Sequence, residues 1–363
     1  MTQLQCRSEI RLLSLADYLH QIVDRLASFE ASVTRSDDTL AFQFAYGEAR
    51  LDIRPDRLVM AAAAPDAEGL RRLKELLGTA VMLYAKAESP QIIWTGDLSD
   101  DSTLSSFRLM RVRSASTVTP HMRRIRIEGE NLDRFQSMNG LHVRMLFPTA
   151  TNPEPVWPIA GPNGLALWQS EERRPVARVY TIRKIDVAAG YMDVDFVVHG
   201  DEQAGNEGVG SAWATQAKTG DAVGIIGPLG RPIRSADWYL MGCDETGLPA
   251  LGRLLERLPA EAQGVAFVEV ADAAEEQVIA RPAGVELHWI HRNGTAAGDH
   301  DALVRTVCAI PWQPGPDSFG WFAAESEAAK TVRQYWRDTL GYGRDQTLVT
   351  GYWKRGATGV MAG

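Results

Sequence analysis

The chain has 363 residues, 45% hydrophobic and 23% charged, an ordinary composition for a soluble protein of two or three domains. No apolar run approaches the ~18–20 residues of a membrane-spanning helix, and long polar low-complexity tracts are missing, which argues against membrane insertion and wholesale disorder. A formal net charge of −8 disfavours broad nucleic-acid binding, which needs cations against phosphates, yet leaves room for a local basic patch.

The opening MTQLQCRSEIRLLS lacks the basic-then-apolar layout of a secretory signal. Cys6, Cys243 and Cys308 lie far apart with no C-x-x-C spacing, which points to reduced thiols, a cytoplasmic location and no structural zinc. The first hundred residues read as a small α/β unit. SEIRLLS is strand-like, and Ser14 precedes LADYLHQIVDRLASFE, which is apolar at helical spacing. Strand-like runs follow at Ala31–Thr34, Leu40–Ala45 and Ala49–Ile53, with LVMAAAA as a fourth. Asp66 then precedes a second amphipathic helix, EGLRRLKELLGTAVMLYAKA. The polar, turn-rich Gly96–Ser106 reads as a linker. This unit is expected to fold alone and to be dispensable for chemistry carried by the rest.

From Phe107 to about Ser235 the pattern turns to short strands: FRLMRVRSAS, MRRIRIEG, HVRMLFP, ARVYTIRKID, YMDVDFVVHG and DAVGIIGP. Six strands with turns between them predict an antiparallel β-barrel. The proline-rich Thr149–Ser170 reads as a long surface loop. Beyond Ser235, strands (WYLMGC, GVAFVEVA, VELHWIHR, FGWFAAE, QTLVTGYW) alternate with helices at Leu248–Leu258, DALVRTVC and Ser326–Leu340. That alternation predicts a parallel α/β domain. The expected organisation is multi-domain α+β and α/β: residues 1–100, a barrel over 104–235 and a nucleotide-binding domain over 236–363.

The segment Arg178-Val-Tyr180-Thr181-Ile-Arg183 carries the sharpest chemistry. A tyrosine ring can stack on an isoalloxazine, a threonine hydroxyl can reach the flavin edge, and arginines can fork onto a diphosphate. Residues i and i+2 share a strand face, so Arg178 and Tyr180 can meet one ligand while Val179 points into the barrel. An exposed strand of alternating charge is the plainer reading of the same residues. About twenty residues on, a glycine-rich run ends in Gly208-Val-Gly210-Ser211-Ala212-Trp213, where backbone N–H groups at a helix start suit an anion. An ordinary loop and helix start also explains it. The arginine pairs around Arg123–Arg126 and Arg173–Arg174 read as solvated faces. His288 and His291 would point to opposite faces of a strand, so no metal site is expected.

Taken in order, Val118-Thr-Pro-His-Met-Arg-Arg124, Gly129-Glu-Asn-Leu132, HVRMLFP, RVYTIR and DFVVHG resemble the siderophore-interacting proteins, flavin-dependent ferric-siderophore reductases of the ferredoxin-reductase superfamily. Asp237–Leu240, Asp244-Glu245-Thr246-Gly247-Leu248-Pro249-Ala250, WFAAES and Gly351–Gly356 resemble that family's nucleotide-domain and C-terminal signatures. Cys243 stands where the family usually has glycine, Gly247 where it has alanine, and Ala324 where glycine is frequent. The first hundred residues resemble an α/β family of unknown function sometimes fused to such reductases.

The resemblance implies bound FAD, NADPH or NADH as reductant, and a ferric siderophore or other ferric chelate as substrate, with no catalytic side chain beyond the flavin. It places Arg178, Tyr180, Thr181, Arg183, His199, Gly210, Ser211, Ala212 and Trp213 around FAD, and Asp244, Glu245 and Thr246 on the nicotinamide side. Lys354 and Arg355, near the end of the last strand, are candidates for attracting an anionic chelate, or are a solvated pair near the chain end. Rival readings are a flavin or electron-carrier reductase of the same superfamily and a non-catalytic ferric-siderophore binding module. The sequence names neither the siderophore nor the oligomeric state.

Overall fold

The computed structural model describes residues 3–198, 208–298, 301–312 and 317–356. The chain divides into two compact units, one of residues up to 107 together with 154–174, the other of 108–153 and everything from 175.

The first unit runs β1 (Leu4–Arg11), α1 (Leu15–Ala27), β2 (Ser32–Ser36), β3 (Thr39–Phe44), β4 (Gly47–Arg54), β5 (Arg57–Ala64), α2 (Ala67–Tyr84) and a short β6 (Thr95–Gly96). The strands form one antiparallel sheet in the order β2-β3-β4-β5-β1-β6. Alternation along β1 and β4 turns Cys6, Ile10, Ala49 and Leu51 inward, where they join Ile22, Leu26, Leu70, Leu73 and Leu77 of the two helices. Asp66 caps α2 by accepting from the Gly69 amide at 2.8 Å.

Two expectations change here. The 96–106 stretch is no free linker: Leu104, Ser105 and Ser106 are buried. Ser105 Oγ donates to Glu68, and the Ser106 amide donates to Glu75, so α2 draws these polar residues in. The proline-rich 154–174 stretch is a strap of the first unit, and its β10 (Ile159–Ala160) pairs with β11 (Ala166–Leu167). Trp94 Nε1 donates to the Asn163 carbonyl at 3.2 Å. A β-carbon at Gly78 in α2 would stand 2.6 Å from that same oxygen. A glycine inside a helix costs about 1 kcal/mol against alanine, and here it admits the strap. The unit that begins the chain is therefore completed by residues from far along it.

In the second unit β7 (Phe107–Thr119), β8 (Met122–Glu128), β9 (His142–Phe147), β12 (Val176–Asp186), β13 (Tyr191–Val197) and β14 (Ala222–Leu229) close a barrel in the order β12-β13-β8-β7-β14-β9. Its interior holds Ile125, Val143, Met145, Ile182, Val194 and Ile225, and α3 (Val209–Gln216) adds Ala214. On its outer side Arg124 and Arg126 fork onto the buried carboxylates of Asp195 and Asp193, so this arginine run is paired across strands as well as solvated.

There follow β15 (Trp238–Asp244), α4 (Leu248–Leu255), β16 (Gln263–Val270), β17 (Gly284–His291), α5 (Ala302–Ala309), β18 (Ser318–Glu325), α6 (Ser326–Gln334) and β19 (Thr347–Trp353). The five strands are parallel in the order β17-β16-β15-β18-β19. The order reverses between β15 and β18, where open α/β sheets bind ligands beyond the strands' carboxyl ends. The buried Arg253 of α4 ties sheet to barrel, donating to the Ile182 carbonyl at 3.0 Å and to Phe135 at 3.3 Å. Among the described residues no helix is long and apolar enough to cross a membrane.

Candidate functional site

The barrel side of the site is built where β12 meets the start of α3. Tyr180 lies among Phe147, Phe196 and Trp213, with ring centroids 4.3 Å from Phe196. Its hydroxyl reaches α3 at Gly210, where an added β-carbon would fall 1.7 Å from the phenol oxygen. Burial pushes the Tyr180 hydroxyl well above the usual phenol range, and the nearby Arg178 guanidinium opposes the rise. Gly208 is the N-cap of α3 and supplies no side-chain cap. The first turn is Val209-Gly210-Ser211, and a helix start of this kind suits an anion. Ala212 donates back to the Gly208 carbonyl. The expectation that Val179 faces the barrel interior is reversed: Val179 is 46% exposed, while Tyr180 and Ile182 take the inner side. Alternation keeps Arg178 with Tyr180, so the pairing of the two survives although the direction was wrong.

Arg183 does not join this group. It forks onto Glu256 at 2.6 and 3.0 Å, against Gly252 of α4. Its charge is paired between barrel and sheet. Trp213 packs on Phe147 and Phe196 as part of the barrel's aromatic cluster. His199 and most of the glycine-rich loop before Gly208 lie outside the described residues.

Thr181 faces the sheet. It is buried, and its Oγ1 is 3.2 Å from His142 Nδ1. The other ring nitrogen of His142 is 3.0 Å from the Tyr352 hydroxyl of β19. Burial, helped by Arg253, lowers the His142 pKa to about 4, so the imidazole is neutral at physiological pH.

At the sheet end, Asp244 is buried and committed. Its Oδ1 accepts from the Thr246 amide at 2.9 Å and the Thr246 hydroxyl at 2.5 Å, and its Oδ2 accepts from Trp353 Nε1 at 2.7 Å. Burial and the neighbouring Glu245 raise its pKa to about 6 against those hydrogen bonds. Glu245 forks onto the buried Arg292 at 2.6 and 2.7 Å. Arg292 also meets Glu269, whose pKa burial raises to about 8. These acidic side chains shape the β15–α4 turn from within, and Thr246 is tied to them. Beside them a cavity of about 210 Å³ opens at the ends of β15, β16 and β18, lined by Asp244, Glu269, Ala324 and Glu325. Arg355 folds back on its rim, its amide donating to Glu325 at 3.2 Å and its Nη1 to the Gly298 carbonyl at 3.4 Å. Lys354 is exposed.

His142, Arg253 and Tyr352 are the residues that sequence reasoning missed. His142 and Tyr352 both lie inside quoted motifs, yet no local pattern says that two strands 210 residues apart bring them together.

The residues present fit FAD: a helix start whose N-cap glycine gives no side-chain cap, Gly210 without a β-carbon beside the Tyr180 hydroxyl, and an arginine on the adjoining strand. The comparisons with known proteins agree. Residues 111–232 match the model of the siderophore-interacting FAD-binding domain and 236–356 that of siderophore-interacting protein, while 7–95 match an uncharacterised family conserved in bacteria. A siderophore utilization protein from T. fusca of known crystal structure is 36% identical with a TM-score of 0.62, over 69% of this chain and 94% of its own. Ferric vibriobactin reductase of Vibrio cholerae is 32% identical over 253 residues, 69% of this chain and 90% of the relative. NADPH-dependent ferric-chelate reductase of Escherichia coli is 29% identical over 262 residues, 68% and 92% of the two chains.

Proposed function

From the premise that the chain belongs to the siderophore-interacting protein family, we propose that it is an FAD-dependent reductase of ferric siderophores or related ferric chelates, with NAD(P)H as reductant. FAD, when bound, supplies the conversion of a two-electron hydride into single electrons. Iron(II) is held less tightly than iron(III) by oxygen-rich chelators, so reduction releases it.

The chain's own residues do the placing. The N–H groups at Gly210 and Ser211 and the Arg178 guanidinium bind the diphosphate. Tyr180 flanks the ring system, and Thr181 offers its hydroxyl at the ring's edge. The crevice at the ends of β15 and β18 receives the nicotinamide nucleotide, with Asp244, Glu245 and Thr246 holding the turn in shape. Lys354 attracts the anionic chelate, and no side chain need act as a general acid in the electron step.

The observation that carries this reading is the close approach of α3, at Gly210 in its first turn, to the strand bearing Tyr180 and Arg178. The test is the visible spectrum of the purified protein before and after anaerobic NAD(P)H, followed by a ferric chelate with an iron(II) indicator. A flavin spectrum that bleaches and then returns as iron(II) forms is the expected result. Protein that cannot be loaded with FAD overturns the reading, and turnover with a carrier protein but with no ferric chelate makes it a carrier reductase.

A further inference from the structure

β18 and β19 pair in register from Gly320 with Thr347 to Ala324 with Gly351, and the next pair is Glu325 with Trp353. Tyr352 is therefore the extra residue of a β-bulge. A bulge re-aims side chains, and this one aims neighbours at different targets. The Trp353 indole turns to Asp244, while the Tyr352 ring stands edge-on to His142 at 5.4 Å between centroids. The result is a chain of three groups, Tyr352 hydroxyl, His142 imidazole and Thr181 hydroxyl, with heavy-atom distances of 3.0 and 3.2 Å. It links the last strand of the sheet to the strand of the Arg178–Arg183 motif.

A neutral imidazole has one donor and one acceptor nitrogen, whereas each hydroxyl can do either. Two arrangements satisfy the chain. In the first, Tyr352 O–H donates to Nε2 and Nδ1–H donates to Thr181, whose own O–H is then directed outward as a donor. In the second, Thr181 O–H donates to Nδ1 and Nε2–H donates to Tyr352, so Thr181 presents only an acceptor. No net charge appears in either.

We propose that His142 and Tyr352 are positioning residues that set whether Thr181 donates or accepts, so that one hydroxyl can serve the flavin edge both when its ring nitrogen is an acceptor, in the oxidised cofactor, and when it carries hydrogen, in the reduced one. This rests on the FAD reading above.

Removing the Tyr352 hydroxyl leaves Nε2 without a partner. An orphaned buried N–H is the costlier alternative, so Nε2 stays bare, Nδ1–H donates and Thr181 is fixed as a donor. That favours the oxidised cofactor. Tyr352→Phe in the full chain loaded with FAD is expected to raise the ratio of affinities for oxidised over reduced FAD about tenfold, a fall in midpoint potential of about 30 mV for a two-electron couple. Tyr352→Phe with Thr181→Val is expected to match Thr181→Val alone, because the effect passes through Thr181. An unchanged potential in Tyr352→Phe, or additive shifts in the double variant, overturns the proposal. A second measurement needs no FAD: imidazole ¹⁵N shifts of His142 should report Nδ1–H in Tyr352→Phe and Nε2–H in Thr181→Val. The same tautomer in both overturns the chain itself, whereas distinct tautomers in protein that will not take FAD would sustain the chain and sink the functional reading instead.

Discussion

Both units place a glycine inside a helix where a neighbour must come close, with different results. In α2, Gly78 admits the backbone of the strap at Asn163, whose carbonyl also accepts from Trp94 Nε1. In α3, Gly210 admits the Tyr180 hydroxyl at a helix start whose N-cap supplies no side chain. One glycine admits a backbone carbonyl, the other a side-chain hydroxyl at a helix start. What distinguishes them is what each admits, since either glycine alone reads as a weak helix position.

That contrast can be tested, starting with the largest expected effect. Arg178→Ala removes a charge-assisted contact of about 1.5–3 kcal/mol to the diphosphate, so FAD affinity should fall roughly 10–100-fold in a fluorescence titration. Full retention would detach Arg178 from the site. Gly210→Ala forces the Tyr180 ring out of its place in the barrel's aromatic cluster, and should weaken FAD about tenfold as well as lower the urea midpoint of the apoprotein. Gly78→Ala should lower the urea midpoint alone. Its β-carbon meets a backbone carbonyl, and such overpacking costs about 1–3 kcal/mol in unfolding, while FAD affinity stays put. Loss of FAD affinity in Gly78→Ala, or none in Gly210→Ala, would make the contrast false.

The sheet end supplies a pH test. Glu269 has a folded pKa raised to about 8 from an ordinary 4.5, so the folded state binds its proton more tightly than the unfolded one. Stability from this group is fully present below about pH 4.5 and is lost as pH rises towards 8. Glu269→Gln should flatten that decline by about 3–4 kcal/mol in unfolding curves taken from pH 5 to 8. A slope equal to that of the parent would show Glu269 ionised throughout, neutralised by Arg292. Smallest is Lys354→Glu, with a roughly twofold rise in KM for an anionic ferric chelate at low salt that vanishes as salt screens the field. Flavin reduction by NAD(P)H should be unchanged, and equal effects on both half-reactions would remove Lys354 from chelate recognition.

Much of the architecture was legible because it rests on period and order. Alternation over 107–235 announces the barrel, and alternating strands and helices after 235 announce the parallel sheet. The strap was illegible for a physical reason: prolines mark a segment that cannot join a sheet interior, but do not say which surface it will settle on. Val179 and Tyr180 could not be assigned to inner and outer faces either, since alternation separates two faces without naming them.

The sequence by itself determined the strand and helix periods, the order of the motifs and the family they belong to. Only the tertiary structure decided which charges are already spent, Arg183 on Glu256 and Glu245 on Arg292, and which distant hydroxyls meet on His142. Period and propensity act over a few residues along the chain. A bulge at Tyr352 and a strand from the barrel meet only after both sheets have formed, so the partner of His142 is fixed by strand register across domains and by no spacing in the sequence.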